Sequence, residues 1–429
     1  MAPVRFRALL IVLLLISSTA FAGARRRPAS PVAPEPAAQW LDKHAIVLAA
    51  TEATGNLDDL APLASIVGNA SVVGLGDGTH GSHEFYTTKL RMLQFLVQQK
   101  GFDVLVVQGS FAQFQRVNAY VQGGPGDVRQ VLTPVLGEIE VFYLKVDEFA
   151  AVVEWMRNYN LTRGSKPAIE ISGAESFDGR RAAQLVVDYL RVVDPASVNA
   201  ALAAYTCVTP FEPAAGCSGA TQSIREAIAA KEADYTARSS ARQFADALQA
   251  ATVVTQSVSL PETGIDAIHD AATVTNLLWA RDHRGTAKKI VYWAHDESLM
   301  RLLSDFGLPT PGELLSRTLG SDYVNFASAT WAGTFLVQYI GNPEMLVTRP
   351  FAPAGNDAYE LFFHESRHPA IVVPLRGDVH PFLLSPHHLR QGGLGEYTSK
   401  AANRDQVLDL RKRFDAIVFV DQTTPTNPF

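Results

Sequence analysis

The chain has 429 residues, of which 47% are hydrophobic and 19% charged, and its formal net charge is −6. This composition is ordinary for a globular protein, and the length predicts either several domains or one large domain with an insertion. Because nucleic-acid phosphates demand a basic face, the acidic balance argues against nucleic acid as a partner.

The N-terminal segment has the pattern of a cleavable secretory signal. Arg5 and Arg7 precede an apolar run over residues 8–16, and a small-x-small site follows. A membrane anchor is the alternative, but the run is shorter than the roughly 20 residues that a spanning helix needs. We therefore expect residues 1–22 to be removed, which leaves no stable membrane span and a periplasmic or secreted protein. Residues 23–39, rich in Pro and Ala, are expected to form a flexible tether.

Seven short apolar runs, rich in β-branched residues, predict the buried strands of an α/β fold with a largely parallel sheet. They are Val72–Leu75, Val104–Val107, Ala168–Ile171, Ile290–Trp293, Tyr323–Ala327, Ile371–Val373 and Ala416–Val420. Between the first two, apolar residues at helical spacing over residues 85–99 predict a helix that ends before Gly101. A strand, a helix and a strand in this order favour a right-handed crossover and parallel pairing.

Residues 182–287 differ from the rest of the chain, because they are Ala-rich and carry no strand signal. We predict a helical insertion that divides the α/β core into residues 40–181 and 288–429. Cys207 and Cys217 flank a loop in this insertion, and in an oxidising compartment such a pair most simply forms a local disulfide. Two cysteines, neither beside a histidine in the sequence, make a poor metal site.

Polar residues directly follow four of the predicted strands. Asp77 and His80 follow the first strand, and Gln108 ends the second. Glu175 follows the third strand, and His295-Asp-Glu297 follows the fourth. Because the carboxyl ends of parallel strands meet at the same edge of a sheet, these side chains predict a single functional pocket.

The segment around Asp77 and His80 carries the clearest chemical signal. A carboxylate three residues before an imidazole can hold the ring in one tautomer, so that the ring acts as a base. The chain has no Gly-x-Ser-x-Gly elbow, and its glycines match neither dinucleotide nor Walker spacing. We therefore expect water as the nucleophile, His80 as its base, Asp77 as the orienting acid, and His295 to polarise or protonate the scissile group.

A second motif offers a different chemistry. His364 and His368 match the His-Glu-x-x-His pattern in which zinc peptidases place two ligands one helical turn apart. Pro369 follows at once and disfavours helix at His368. A zinc hydrolase is therefore an alternative hypothesis, and no metal or other cofactor is expected in the preferred one.

Two segments carry a resemblance to a known family. The run Gly-Asp-Gly-Thr-His-Gly-Ser-His-Glu-Phe-Tyr over residues 76–86 and Trp-Ala-His over residues 293–295 resemble the erythromycin esterase family. Weaker similarity extends over most of the chain from about Trp40 onward. The resemblance implies that His80 is the general base and His295 the second active-site histidine.

The same resemblance implies a fold and a substrate. It implies a metal-independent hydrolase that opens the macrolactone ester of 14-membered macrolide antibiotics, with a macrolide-like or other small-molecule ester as ligand. The implied fold has an α/β core, a helical insertion and a smaller α+β part, which we expect within residues 288–429.

Four positions depart from the family pattern. Asp77 replaces a glutamate, and Gln108 replaces an acid. The basic position of the helix carries Lys89, with Arg91 nearby, and Ser298 stands where the family usually has a further histidine. The supporting or substrate-binding residues are thus expected to be altered in charge and reach. A periplasmic ligand-binding protein that kept the fold and lost catalysis is the second alternative.

Overall fold

The computed structural model describes residues 35–53, 55–133, 142–209, 216–263, 265–303, 308–339, 342–392, 395–396 and 403–429. The predicted signal segment and most of the predicted tether lie outside these residues. The first helix, α1, spans Ala37–His44 and so begins within the last residues assigned to the tether.

The strands of the described residues form one large sheet and a small two-stranded sheet. They are β1 Ile46–Val47, β2 Val72–Leu75, β3 Val104–Ser110, β4 Glu170–Glu175, β5 Ile290–Trp293, β6 Tyr323–Tyr339, β7 Asn342–Phe351, β8 Ala370–Pro374, β9 His387–Gly392, β10 Gly395–Glu396, β11 Asn403–Leu408 and β12 Ala416–Thr423. The large sheet has the order β1-β8-β12-β6-β2-β5-β3-β4, and β7 and β10 also pair with β6. β9 and β11 form the small antiparallel sheet.

The prediction of a largely parallel sheet is confirmed. All neighbours from β12 through β6, β2, β5 and β3 to β4 pair in parallel. The strand predicted at Ile371–Val373 is confirmed as β8, but its predicted parallel direction is wrong, because β8 pairs antiparallel with both β12 and β1. A continuous apolar run shows that both faces of a strand are buried, and it does not determine the strand's direction.

Helices connect most of the strands. They are α1, α2 Leu63–Val67, α3 His83–Lys100, α4 Phe111–Val121, α5 Val128–Leu132, α6 Asp147–Thr162, α7 Gly179–Val193, α8 Val198–Tyr205, α9 Cys217–Ala229, α10 Glu232–Arg238, α11 Ala241–Thr263, α12 Ile265–His283, α13 Asp296–Leu299, α14 Pro311–Leu319, α15 Tyr359–His364 and α16 Leu410–Arg413. In the part of the chain that the structure describes, none of these helices combines the length and the apolar character needed to cross a membrane.

The large sheet buries both of its faces. Successive side chains of a strand point to opposite sides, so β2 contributes Val73 to one core and Val72 to another. The first core contains Phe95 of α3, and the second contains Leu277 of α12. Helices on both faces leave the ends of the strands as the place where polar side chains gather.

The predicted helix after β2 is confirmed as α3. It ends at Lys100, and Gly101 takes a left-handed conformation with φ of 72° and donates its amide hydrogen to the Leu96 carbonyl. A residue with a Cβ adopts this conformation at a cost, which explains the glycine at this position.

All regular elements described between β4 and β5 are helices, from α7 to α12. Val186 of α7 and Val254 of α11 belong to an apolar core that is separate from the two cores of the sheet. The predicted disulfide between Cys207 and Cys217 is confirmed and links the end of α8 to the start of α9.

Candidate active site

The ends of four neighbouring strands bring the predicted polar residues to one edge of the sheet. Asp77 and His80 follow β2, and His295 follows β5, the strand next to it. The His80 and His295 rings meet edge to face, with their centroids 5.0 Å apart and an angle of 63° between their planes. Two histidines that are far apart in the sequence therefore form one site.

Asp77 and His80 are in direct polar contact at this site. Asp77 Oδ1 lies 2.8 Å from His80 Nδ1, and both side chains are buried, with His80 3% exposed. The ring is turned away from ideal hydrogen-bond alignment, but a carboxylate can only accept, so it still favours the proton on Nδ1. His80 Nε2 is buried and has no hydrogen-bond partner among the described residues. The described residues therefore leave its lone pair without a hydrogen bond.

Lys89 completes the environment of Asp77. Its Nζ lies 2.5 Å from Asp77 Oδ2 and 4.1 Å from the centroid of the Trp293 ring. Burial alone would raise the pKa of Asp77, but the Lys89 ammonium and the His80 ring outweigh it and hold that pKa below its usual range. Asp77 is therefore an ionised acceptor for the His80 ring.

The pKa of His80 is lowered from its ordinary value of 6.5. Burial disfavours the charged ring, and the attraction of Asp77 offsets only part of that effect. The ring of His80 is thus neutral near pH 7, which is the state that a general base needs.

His295 has the opposite tautomer. It caps the N-terminus of α13, where its Nδ1 accepts a hydrogen bond of 3.2 Å from the Glu297 amide. The hydrogen of a neutral ring then lies on Nε2, which makes that nitrogen a donor. The two adjacent rings thus offer one acceptor and one donor.

Gln108 and Ser298 form hydrogen bonds that hold the turn carrying His295. The Gln108 side-chain oxygen accepts a 3.1 Å hydrogen bond from the His295 amide, and its Nε2 donates to Ser298 Oγ at 3.3 Å. These bonds tie the turn between β5 and α13 to β3. The structure therefore places both residues at the site as supports of the histidine.

Glu175 ends β4 at the outer side of the same edge. Glu175 is 5% exposed, and burial raises the pKa of its carboxyl group, while His269 of α12 and a hydrogen bond with the Gln108 side chain oppose that shift. His269 Nε2 lies 3.6 Å from Glu175 Oε1. A side chain of the helices between β4 and β5 therefore reaches the predicted site.

Arg91 does not join the site. Its guanidinium pairs with the carboxylate of Asp59 at 2.7 Å and donates to the backbone oxygens of Ala50 and Asn56. Two residues along a helix correspond to a rotation of about 200°, so Lys89 and Arg91 leave α3 on different sides. Arg91 anchors the loop before α2, and the expectation that it supports the substrate is not met by this geometry.

Tyr143 was not predicted as a site residue, and Asp296 was predicted only as part of the polar run after the fourth strand. The ring of Tyr143 stacks on His80 with centroids 4.1 Å apart, and its hydroxyl donates to the Gln108 carbonyl at 2.8 Å. Asp296 is fully buried beside Asp77, and both burial and that neighbour raise its pKa. Asp296 follows His295 directly, so the sequence contained a signal for it, whereas nothing in the sequence around Tyr143 pointed to the site.

The glycines of the β2–α3 loop allow close packing. A Cβ at Gly76 would lie 1.9 Å from Asp296 Oδ1, and one at Gly81 would lie 1.8 Å from the Leu336 carbonyl oxygen. Both positions therefore exclude any larger residue without a shift of their neighbours. These glycines are therefore explained by the packing of the loop. Their spacing matches no phosphate-binding motif.

The His-Glu-x-x-His segment does not form the helical turn of zinc peptidases. Helix α15 ends at His364, whose ring stacks on Trp331 and whose Nδ1 lies 2.5 Å from Asp421 Oδ1. His368 lies beyond the helix, and its Nε2 is 4.0 Å from Asp42 Oδ1. Because the two rings have different partners, this geometry does not fit a shared metal, and the zinc alternative loses its structural basis.

Comparisons with known proteins identify the family of this chain. The family model described as erythromycin esterase matches residues 97–423, which is more than half of the chain, although it begins after His80. The erythromycin esterase type II of Escherichia coli is 28% identical over 138 residues. That match covers 32% of this chain and 31% of the relative, so it spans about a third of the curated protein.

Solved structures share the fold. A Bacillus cereus protein superposes with a TM-score of 0.79 at 23% identity, covering 92% of this chain and 98% of its own. A mutant of the erythromycin esterase EreC in its open conformation gives a TM-score of 0.67 at 15% identity, covering 86% and 95%. At these identities the likeness concerns the fold alone, and the family assignment comes from the family model. The chain belongs to the erythromycin esterase family.

Proposed function

We propose that this protein hydrolyses a small-molecule carboxylic ester, with His80 as the general base on a water molecule. The observation that carries the proposal is the His80 ring itself. Asp77 holds the proton on Nδ1, and Nε2 is buried without a hydrogen-bond partner among the described residues. A neutral ring in this state accepts a proton from water, and the family assignment supports hydrolase chemistry.

The proposed reaction uses both histidines. His80 Nε2 takes a proton from water as the water oxygen bonds to the acyl carbon. His295 Nε2–H donates a hydrogen bond to the carbonyl oxygen, on which negative charge develops. The bond between the acyl carbon and the alcohol oxygen then breaks, and the His80 imidazolium returns its proton to that oxygen. The products are one carboxylic acid and one alcohol, and no co-reactant other than water is needed.

The ionisation of the site predicts a pH dependence. The base form of His80 is lost when the pH falls through its folded-state pKa, which lies below 6.5. The rate is therefore expected to be constant near neutral pH and to fall on the acid side. A pH profile of kcat/KM with its acid limb above pH 6.5 would contradict the assignment of His80 as the base.

A substrate panel tests the proposal. Wild type and His80→Asn are incubated with aryl esters, lactones of increasing ring size and 14-membered macrolides, and mass spectrometry follows the addition of one water. We expect at least one ester to be hydrolysed by wild type and not by His80→Asn. His387→Asn is the matched control, because His387 lies on β9 outside the site. Ligand-induced thermal stabilisation without any product would instead identify a binding protein.

We also propose that the protein acts outside the cytoplasm. The predicted signal over residues 1–22 and the disulfide between Cys207 and Cys217 support export, since disulfides persist in oxidising compartments. Cell fractionation with N-terminal sequencing of the mature protein tests this location. Recovery of the uncleaved chain in the cytoplasmic fraction would contradict it.

A further inference from the structure

Residues 424–429, which follow β12, pair with two separate parts of the candidate site. The first half of this segment pairs antiparallel with the loop that follows the proposed base. Pro425 forms an isolated bridge with Ser82, and the Thr426 amide donates to the Gly81 carbonyl at 2.9 Å. The first half is therefore attached directly to that loop.

The same half is also held to the start of α3. The Glu84 carboxylate accepts a 2.7 Å hydrogen bond from the Thr424 amide and a 2.8 Å bond from the Thr424 hydroxyl. The His83 amide donates to the Thr424 carbonyl at 2.9 Å. The amide, the carbonyl and the hydroxyl of Thr424 are thus all bonded to the first residues of this helix.

The second half of the segment pairs with the turn that carries Tyr143. Pro428 forms an antiparallel bridge with Val146, and the Phe429 amide donates to the Lys145 carbonyl at 3.1 Å. The Phe429 side chain packs against the first core of the sheet. The residues directly after Tyr143 are therefore held by the segment.

Bonds to the start of α6 complete this second attachment. The Asn427 amide donates to the Glu148 carboxylate at 3.1 Å, and the Asp147 amide donates to the Asn427 carbonyl at 2.8 Å. Glu148 Oε1 also lies 2.6 Å from His83 Nδ1. One carboxylate thus contacts both the segment and the start of α3.

The two attached parts carry the two aromatic rings that stack at the candidate site. His80 comes directly before Gly81, and Tyr143 comes two residues before Lys145. The His80 and Tyr143 rings are stacked with centroids 4.1 Å apart. Tyr86 of α3 holds the Tyr143 carbonyl at 2.9 Å, and the segment holds the residues that follow it. The relative position of the rings therefore depends on how the segment is attached at both halves.

We infer that residues 424–429 position the proposed base: by joining the His80 loop to the Tyr143 turn, the segment holds the Tyr143 ring against His80 and fixes the direction of His80 Nε2. The inference rests on the proposed function, because it takes His80 to be the base. Asp77 contacts one edge of the His80 ring, and the stacked Tyr143 fixes the plane of that ring. Precise placement matters, since a misplacement of about 1 Å can cost roughly a hundredfold in rate.

Two proline variants of the full chain test the segment, because proline has no amide hydrogen. Thr426→Pro removes the donor to Gly81, and Asn427→Pro removes the donor to Glu148. Neither acceptor is left bare, since each has a second partner in the structure. Thr426→Val is the matched control, because it keeps the amide and removes a hydroxyl that is buried without a hydrogen-bond partner among the described residues.

Steady-state kinetics and NMR measure the effect. We expect each proline variant to lower kcat by about two- to thirteenfold, the range for loss of the stacked ring, with KM within about twofold. The ring current of Tyr143 shifts the His80 Hε1 resonance, and both proline variants are expected to move that resonance toward its position in Tyr143→Leu. Thr426→Val should match wild type in both measurements. A segment that merely stabilised the fold would leave kcat and the folded-state resonance unchanged.

A double variant and an insertion test whether the two halves act as one link. If the segment joins the two parts, Thr426→Pro/Asn427→Pro loses no more kcat than either single variant, because one break already uncouples them. Losses that multiply would mean that the halves act separately and would overturn the inference. Two glycines inserted between Thr426 and Asn427 keep both amide donors and lengthen the link. We expect the same changes in kcat and in the His80 resonance, even if a proline variant does not fold.

The NMR measurement needs no substrate, so it separates this inference from the proposed reaction. If wild type hydrolyses no ester but the His80 resonance moves in the proline and insertion variants, the proposed function fails and the positioning role stands. If the folded variants keep the wild-type resonance and kcat, or if Thr426→Val changes both as much as Thr426→Pro does, the positioning role is overturned.

Discussion

Two of the histidines whose Nδ1 lies against an aspartate, His80 and His387, differ in what their other ring nitrogen can do. At the candidate site, His80 Nδ1 lies 2.8 Å from Asp77. At the start of β9, His387 Nδ1 lies 2.5 Å from Asp357, and its Nε2 lies 3.0 Å from Ser385 Oγ. By composition, the second region looks more like a catalytic triad than the first.

The difference between them lies in Nε2 and in burial. The Phe382 carbonyl oxygen is also 3.0 Å from His387 Nε2, and a carbonyl only accepts, so this nitrogen donates and cannot deprotonate Ser385. The Asp357 side chain is 66% exposed, where water weakens its field, whereas Asp77 is fully buried. The availability of a nitrogen lone pair therefore decides which histidine can act as a base.

The largest expected effect comes from removing the charge of each aspartate in turn. Asp77→Asn leaves His80 free to adopt the other tautomer, and we expect kcat/KM to fall by up to about 10⁴-fold, as for the orienting acid of a Ser-His-Asp triad. Asp357→Asn is expected to leave kcat/KM unchanged within about twofold. Equal losses in the two variants, measured at matched thermal midpoints, would remove the distinction between the regions.

Lys89 and Arg91, both on α3, compare a charged group at the site with one outside it. Lys89→Met and Arg91→Met each leave a carboxylate without its buried partner, and each is expected to lower the free energy of unfolding by about 3 to 5 kcal/mol, less where the remaining acid reaches water. Only Lys89→Met is expected to reduce kcat/KM as well, because Asp77 then protonates more readily. Denaturant unfolding and kinetics on both variants check this. A comparable loss of kcat/KM in Arg91→Met would show that Arg91 also supports the reaction.

Tyr143 provides a smaller effect. Tyr143→Phe keeps the ring on His80, and Tyr143→Leu removes it. Loss of the ring is expected to remove a stacking free energy of about 0.5 to 1.5 kcal/mol that positions His80, which lowers kcat by roughly two- to thirteenfold. Tyr143→Phe should therefore recover most of the activity that Tyr143→Leu loses. If both variants lose equally, the hydroxyl bond to the Gln108 carbonyl matters and the stacking does not.

The smallest effect concerns a histidine that is tied at both nitrogens. His83 Nδ1 lies 2.6 Å from Glu148, and its Nε2 lies 2.9 Å from Glu52. The hydrogen bond to Glu148 raises the pKa of His83 to about 9, from an ordinary 6.5. Its contribution to stability is therefore complete below pH 6.5 and is lost as the pH rises through 9. His83→Gln should destabilise the protein more at pH 6 than at pH 9.5 in denaturant unfolding; the reverse order would contradict the raised pKa.

Much of the site could be predicted because strand ends converge in an open sheet. Asp77, His80 and His295 needed only the positions of β2 and β5. Helix faces were harder, since Lys89 and Arg91 are two residues apart and point to different partners. Tyr143 reaches His80 from a short turn with no periodicity, so its position depends on tertiary packing that local patterns do not encode.

The fold shows the same limit. Buried continuous runs predicted the central strands, but the direction of β8 depends on how the chain returns to the sheet. The paired strands β9 and β11 contain charged and amide residues such as Arg390 and Gln406, so they lacked the apolar signal used for the others. The strands β9 and β11 were therefore not predicted from the sequence.

The central claim is that His80 is a neutral base with its proton on Nδ1 and a free lone pair on Nε2. Nitrogen NMR of ¹⁵N-histidine-labelled protein from pH 5 to 8, with His80 assigned by comparison with His80→Asn, measures this directly. We expect a neutral ring with Nδ1–H at pH 7 and a protonation midpoint below 6.5. An Nε2–H tautomer, or a ring that is still charged at pH 7, would contradict it.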